Sequence, residues 1–190
     1  RPPMPDDLRS QVQPILDAVR LMGLPLLQVA GVEADDVIGT LCRQAGESGQ
    51  RVLVSTGDKD LAQLVTDKVT LVNTMNDSVL DRDAVKDKFD VWPEQIVDYL
   101  ALVGDSSDNI PGVPKVGPKS AAKLVTEFGH VEAVIKGVGG LTKRKVYEKN
   151  VIEFADQARL SKRLATLAYD APVEVDDEAL HYREPNFEKL

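Results

Sequence analysis

The sequence predicts an α/β fold in which a mostly parallel sheet core is followed by an all-helical subdomain. Up to about residue 81, short apolar segments with strand character alternate with segments of helical periodicity, as in sheets whose strands are connected by helices. After that residue, apolar side chains recur at helical spacing, and no strand of comparable strength precedes residues 173–175. We therefore divide the chain into an α/β core at 1–92 and a helical subdomain at 93–190.

The first part of the chain contains three predicted helices and three predicted strands. Asp6 or Asp7 can cap the first helix, and Pro14 inside it favours a kink because proline cannot donate the helical hydrogen bond. Residues 52–55 form a mostly apolar run, which is typical of a strand buried on both faces. The predicted helices cover about 6–22, 33–47 and 58–65, and the predicted strands cover 25–30, 52–55 and 69–73.

The rest of the chain is predicted to form helices around one turn-rich segment, residues 104–118. Pro93 lies in the first turn of its helix, where the missing amide hydrogen breaks no helical bond. The predicted helices cover 83–89, 93–103 and 119–128, with a short helix near 131 and a long polar one from about 142 to 167.

Charge is unevenly distributed along the chain. The net charge of −8 argues against a chain that binds nucleic acid through its overall charge. Residues 115–163, however, contain 11 Lys and Arg against 5 Asp and Glu, so this stretch carries +6 and the remainder −14. Such a division suits a nuclease, in which carboxylates hold metal ions and lysines hold phosphates. An unevenly charged surface without function explains this distribution of charge equally well.

The cysteine content and the apolar runs bear on the compartment. The single cysteine, Cys42, excludes an internal disulfide framework and is typical of a reducing, cytoplasmic compartment. No apolar run approaches the ~20 residues that a membrane span requires, so we expect no membrane partner.

Three acidic clusters follow predicted structural elements and indicate a metal site. Carboxyl ends of parallel strands meet at one rim of a sheet, so the first two clusters should lie near each other. Gathered carboxylates repel one another unless a cation neutralises them, and oxygen ligands without His or Cys favour Mg²⁺ or Mn²⁺. The alternative is that these residues only cap helices and form Asx turns. The clusters are Glu33, Asp35 and Asp36; Asp58 and Asp60; and Asp105 and Asp108.

A glycine- and proline-rich segment, residues 110–123, indicates contact with a nucleic-acid backbone. Gly112 and Gly117 permit tight turns, and the helix that follows offers free amides at its N-terminus for an anion. Lys115, Lys119 and Lys123 add positive charge on the same side. Such contacts position phosphates without selecting a base sequence. The alternative is an ordinary inter-helix loop with solvated lysines.

These motifs together resemble the 5′→3′ exonuclease family, which comprises the nuclease domain of bacterial DNA polymerase I and flap endonucleases. The matching motifs are Gly-Val-Glu-Ala-Asp-Asp (31–36), Ser-Thr-Gly-Asp-Lys-Asp (55–60) and Gly-Asp-Ser-Ser-Asp-Asn-Ile-Pro-Gly-Val-Pro (104–114). The resemblance implies a PIN-like α/β core and a helical subdomain with a helix–hairpin–helix element. It also implies that all seven acidic residues, Glu33, Asp35, Asp36, Asp58, Asp60, Asp105 and Asp108, bind two or more catalytic metal ions.

The same resemblance implies the substrate and the contacts with it. The family hydrolyses DNA phosphodiesters at 5′ ends, flaps and nicks in replication and repair, with a polymerase domain attached in some full-length members. Main-chain carbonyls of the hairpin often bind K⁺ in this family. The residues implied in DNA binding are Arg1, Gly112, Val113, Lys115, Gly117, Lys119 and Ser120.

The sequence also departs from the family pattern. Family members have an upstream strand and a helical arch that supply further acidic and basic residues, and this sequence begins after them. We therefore expect a fragment of the domain, and its own activity is an open question at this point. A DNA-binding module that uses only the hairpin is the alternative. A PIN-type ribonuclease is a third hypothesis, which the hairpin and the basic stretch disfavour.

Overall fold

A computed structural model describes residues 4–175, 178 and 180–189 and confirms the α/β fold class. The strands are β1 (Val52–Ser55), β2 (Val69–Asn73) and β3 (Ser78–Leu80). The helices are α1 (Asp6–Leu21), α2 (Ala34–Glu47), α3 (Arg82–Phe89), α4 (Ile96–Val103), α5 (Pro118–Phe128), α6 (Val131–Gly139), α7 (Val146–Glu153) and α8 (Ala155–Ala165). Short 3₁₀ helices cover Asp60–Leu64 and Pro93–Gln95. We call α1–α3 with the sheet the α/β part, and α4–α8 the helical part.

The sheet has the order β1-β2-β3 and combines two kinds of pairing. β1 and β2 are parallel, with Val54 opposite Leu71, as predicted. The expectation that β1 is buried on both faces is wrong, because Leu53 is 72% exposed. β3 returns antiparallel to β2, with Leu71 also opposite Leu80. The hairpin strand β3 was not predicted because three residues are too few to show an alternating pattern. The described sheet is therefore mixed rather than mostly parallel.

Three other predicted elements differ from the structure. Residues 25–30 form no strand, because an apolar run also needs a neighbouring backbone to pair with, and β1 pairs only with β2 in the described sheet. Residues 173–175 likewise form no strand. The long helix predicted over 142–167 is divided into α7 and α8, because Phe154 has the non-helical angles φ −106° and ψ 29°. α1 continues through Pro14 as one helix and is not split there.

α4 joins the two parts of the molecule. It packs against α5 and α8 of the helical part and against the 3₁₀ helix Asp60–Leu64, which follows β1. Leu100 and Leu102 of α4 and Leu61 of the 3₁₀ helix are almost fully buried. This apolar contact fixes the end of α4 next to the loop that follows β1. No helix in the described part of the chain has both the length and the apolar content of a membrane span.

Candidate metal centre and hairpin

The loop after β1 is held by its own polar side chains. The Thr56 amide donates to the Val72 carbonyl (2.9 Å), which continues the parallel ladder by one residue beyond the strand. Thr56 Oγ1 then accepts from the Asp58 amide, and Asp58 Oδ1 accepts from the Asp60 amide, each at 2.9 Å. Asp58 therefore orders the start of the 3₁₀ helix and brings Asp60 to the surface of α4.

The turn after α4 presents the second group of acids. The Asp105 amide and carbonyl form two hydrogen bonds with Ile110, at 2.8 and 2.7 Å, which close the loop between them. Asp105 Oδ1 accepts from the Ser107 amide (2.7 Å) and from the Asp108 amide (3.4 Å). This Asx turn leaves Asp105 Oδ2 directed toward the loop after β1, where it contacts the Lys59 ammonium.

Three of the seven predicted ligands come together at this junction. Asp60, Asp105 and Asp108 each offer a carboxylate oxygen, and these three oxygens lie within 4.8 Å of one another. Asp60 Oδ1 is buried and accepts no hydrogen bond from any described group. A buried carboxylate oxygen that accepts no hydrogen bond is costly in water-excluding surroundings, and oxygen-only donors suit a hard divalent cation. The residues therefore fit a metal ion of the Mg²⁺ class.

The other four predicted ligands differ in burial and in the groups near them. Asp58 and Glu33 are exposed, and Glu33 is the residue preceding α2, where it makes no capping hydrogen bond. Asp35 is half-buried and lies within electrostatic range of Asp58 and Asp60. Asp36 Oδ1 accepts from the Ala168 amide (2.8 Å), so one of its oxygens is already engaged by the segment that follows α8.

The proximity of these acids changes how two of them bind protons. Burial contributes most to a raised pKa of the Asp35 carboxyl. Four neighbouring carboxylates raise this pKa further, in the order Asp58, Glu33, Asp36 and Asp60. The pKa of Asp60 is also raised, mainly by burial, although the nearby Lys59 ammonium opposes the shift. The site therefore concentrates negative charge that a divalent cation would neutralise.

Lys59 is a site residue that the sequence reasoning missed. Its Nζ contacts Asp105 Oδ2 and lies 3.4 Å from Asp60 Oδ1. In sequence it stands between two predicted ligands, but nothing in the motif showed that its ammonium would reach an acid 46 residues away. The contact depends on the packing of the 3₁₀ helix on α4, which sequence spacing does not reveal.

The hairpin between α4 and α5 depends on close contact between two glycines. Gly112 has φ +61°, and a Cβ atom there would lie 2.5 Å from the Gly104 nitrogen. The Gly112 amide donates to Ser161 Oγ (3.0 Å), and its carbonyl accepts from Gln157 Nε2 (2.7 Å). Val113 is buried, and its amide donates to the Leu102 carbonyl (2.8 Å). Gly112 and Val113, which were predicted to contact DNA, thus use their amides inside the protein.

The other predicted DNA-binding residues are more accessible. Lys115, Gly117 and Lys119 are exposed, and Ser120 is half-buried in the first turn of α5. Pro118 has no amide hydrogen and the Ser120 amide donates to the Gly117 carbonyl (3.0 Å), so among the first three residues of α5 the Lys119 amide is the one left for an anion. Arg1, the seventh predicted DNA contact, lies outside the described residues.

Comparison with known proteins now identifies the family. A family model described as "5'-3' exonuclease, N-terminal resolvase-like domain" matches residues 1–90, and another described as "5'-3' exonuclease, C-terminal SAM fold" matches residues 91–188. The chain belongs to the 5'-3' exonuclease family. This membership confirms the resemblance stated from the three motifs.

Individual relatives of this exonuclease family differ in length. The chain is 50% identical over 202 residues to DNA polymerase I of Pseudomonas aeruginosa, matching 100% of this chain and 22% of the relative. It is 40% identical over 194 residues to the 5'-3' exonuclease of Aquifex aeolicus, matching 100% of this chain and 64% of the relative. The chain therefore spans less than two thirds of either relative.

A solved structure supports the same family at the level of the fold. The T5 D15 protein co-crystallized with metal ions superposes with a TM-score of 0.76 and 26% identity, covering 84% of this chain and 61% of that one. The agreement extends over both the α/β part and the helical part, as the coverage requires.

Proposed function

We propose that this exonuclease-family chain takes part in divalent-metal-dependent hydrolysis of DNA phosphodiesters at 5′ ends, flaps and nicks, in replication and repair. The observation that carries the proposal is the convergence of Asp60 with Asp105 and Asp108 within 4.8 Å, from opposite sides of the junction between the two parts. A DNA-binding module without cleavage is not favoured, because the family matched over the whole chain is one of nucleases.

All seven acidic residues take part in holding metal, with different roles. Asp60, Asp105 and Asp108 form the inner group, and Asp35 and Asp58 supply the adjoining negative charge. Two or more Mg²⁺ or Mn²⁺ ions, when bound, supply an activated water and stabilise the leaving oxygen of the cleaved ester. Glu33 and Asp36 complete the site from the start of α2. Their proximity to Asp35, whose pKa they raise, supports this assignment.

The hairpin holds the phosphate backbone of the duplex. Lys115, Gly117, Lys119 and Ser120 make the contacts, while Gly112 and Val113 fix the shape of the turn from inside. Lys119→Ala should weaken duplex binding and lower its dependence on log salt concentration by about 1, because one phosphate contact is lost. Fluorescence anisotropy in Ca²⁺, with Lys136→Ala on α6 as control, measures this. An unchanged salt dependence in Lys119→Ala would contradict the assignment.

Three further expectations complete the proposal. K⁺ binds main-chain carbonyls of the hairpin, where it competes with the amides that Gln157 and Asn150 donate to the Gly112 and Pro114 carbonyls. Tl⁺ soaked into crystals should give an anomalous peak there, and no peak would remove K⁺ from the proposal.

The natural partners are DNA and, as in the relative DNA polymerase I, a polymerase domain in the same polypeptide. The compartment is the cytoplasm, where bacterial DNA is processed.

The decisive experiment measures cleavage of a 5′-flap duplex in Mg²⁺. Asp60→Asn and Asp58→Asn should each lower the rate on the order of 100-fold or more, because each removes a carboxylate that holds the metal ions which stabilise the transition state. Asp156→Asn is the matched control, since its side chain is 99% exposed on α8. Normal cleavage by both site variants would reject the metal centre. Equal cleavage of RNA and DNA flaps would favour a ribonuclease instead.

A further inference from the structure

The Lys59 ammonium lies at the mouth of the inner acidic group. It contacts Asp105 Oδ2 and is 3.4 Å from Asp60 Oδ1, so one cation serves acids from both parts of the molecule. The side chains of Asp105 and Asp60 are only 4% and 14% exposed, whereas that of Lys59 is 46% exposed. The carboxylates are therefore fixed in the protein, while the lysine reaches them from the solvent side and is able to leave.

A divalent ion and this ammonium require the same oxygen atoms. Asp105 Oδ1 is used by the Ser107 and Asp108 amides, so Oδ2 is the oxygen that remains for a cation. That oxygen is the one Lys59 contacts. Asp60 Oδ1, which accepts no hydrogen bond from a described group, faces the same ammonium. Two cations at these oxygens would repel each other strongly at such short separation.

We propose that Lys59 is a built-in counterion, which neutralises the group of Asp60, Asp105 and Asp108 without metal and is displaced by the first divalent ion. This inference rests on the proposed metal centre. Lys59 is thus a positioning residue: it keeps the two parts of the molecule together before metal binds, and it lowers the affinity for metal by competing for the same oxygens. Removing it should have opposite effects on these two properties.

Metal binding of the 190-residue chain tests the competition directly. Free Mn²⁺ is measured by electron paramagnetic resonance during titration of wild type, Lys59→Met and Lys59→Arg. Lys59→Met should bind Mn²⁺ more tightly by roughly 1.5- to fivefold, the range expected when a partly exposed ion pair no longer competes. Lys59→Arg retains the charge and should bind as wild type does. Lys88→Met is the matched control, because Lys88 is an exposed lysine of α3 whose Nζ lies 5.3 Å from the Phe89 ring.

Thermal unfolding measures the second property. In EDTA, Lys59→Met should unfold at a temperature lower by roughly 2–4 °C, because the carboxylates then lack a counterion. With saturating Mn²⁺ the difference from wild type should disappear. A merely structural lysine would lower the unfolding temperature equally under both conditions. If Lys59→Met unfolds in EDTA at room temperature, Lys59→Gln, which keeps a hydrogen-bond donor, carries the same predictions.

The outcomes separate this inference from the metal centre itself. Asp60→Asn should lose most of its Mn²⁺ affinity. If it binds Mn²⁺ as wild type does, the proposed centre is wrong and the role of Lys59 falls with it. If Asp60→Asn loses binding but Lys59→Met shows equal or weaker affinity than wild type, the centre stands and the counterion is rejected.

Discussion

Individual acidic side chains at the junction form the local turns that the sequence offered as the alternative to metal binding. Asp58 and Asp105 do form local turns, each through Oδ1 and a following amide. These turns determine where the second oxygen of Asp105 points and bring Asp60 beside it. Helix starts and turns therefore do not compete with the metal-site interpretation at these positions; they provide the rigid support that such a site requires.

The raised pKa of Asp35 has a consequence for stability. The folded, metal-free chain binds a proton at Asp35 more tightly than the unfolded chain does, so this residue's contribution is greatest at low pH. It is lost as the pH rises from the ordinary value of 3.8 through the raised pKa. Asp35→Asn should therefore make the metal-free chain more stable at pH 7 and should reduce this loss. The pKa of Asp60 is also raised, so its contribution to the stability of the metal-free chain likewise decreases as the pH rises.

Urea unfolding in EDTA between pH 4 and pH 7.5 measures this effect. The quantity to follow is the difference in unfolding free energy between variant and wild type, because other carboxylates also titrate in this range. Asp87→Asn, at an exposed position of α3, should leave the pH dependence unchanged. A lower stability of Asp35→Asn than of wild type at pH 7 would contradict the electrostatic origin of the shift.

At the scale of elements, the hairpin depends on the absence of a side chain at one glycine. Gly112→Ala places a Cβ 2.5 Å from the Gly104 nitrogen at a φ of +61°. We expect a loss of at least about 2 kcal/mol in unfolding free energy, since strain and backbone collision add. Gly117→Ala is the control: no described atom lies within 4 Å of the position that its Cβ would take, and the φ of Gly117 is −93°. Urea unfolding of both variants checks the contrast; equal stability would contradict it.

A buried carboxylate connects three helices of the helical part. Asp98 of α4 accepts from the Val131 amide at the start of α6 (2.8 Å) and from Lys162 Nζ of α8 (2.6 Å). Asp98→Ala should lower the unfolding free energy by about 2–3 kcal/mol, because a charge-assisted hydrogen bond is lost and the amide is left unpaired. Asp98→Asn keeps an acceptor for the amide and should cost less. If both variants unfold as wild type does in urea, Asp98 has no such role.

The elements that the sequence predicted well are those with enough residues to show a period. α2, β1, β2 and α5 lie within one residue of their predicted limits. β3 has only three residues, and residues 25–30 carried an apolar run without a partner strand in the described sheet. The break between α7 and α8 at Phe154 interrupts an otherwise continuous helical pattern. The spacing of apolar residues does not show such a local change in backbone angles, so the break was not predicted.

At the scale of the whole molecule, the site could be predicted only in part. The motifs named all seven acids, because carboxylates after strands and at the start of helices are visible in sequence. Which three converge depends on the packing of the 3₁₀ helix against α4, a contact between residues about 40 positions apart. The contact between Lys59 and Asp105 depends on the same packing. The assignment of all seven as ligands stays a prediction.

The inner acids of the proposed metal centre come from both parts of the molecule, so a bound metal ion should stabilise the chain as one unit. Asp60 belongs to the α/β part, whereas Asp105 and Asp108 follow α4 of the helical part. A ligand that binds only the folded state at about 100 times its Kd adds about 2.7 kcal/mol to the unfolding free energy. For a chain of this length the unfolding temperature should then rise by roughly 5–10 °C in Mn²⁺.

Scanning calorimetry with increasing Mn²⁺ measures this coupling. Wild type should show one transition that moves upward with metal concentration, because separating either part from the other destroys the site. Asp105→Asn should lose the upward shift, and the exposed Asp156→Asn should keep it. Two transitions, of which Mn²⁺ moves only one, would mean that the acids of a single part suffice to bind the ion. In that case the contact between the 3₁₀ helix and α4 would not assemble the site.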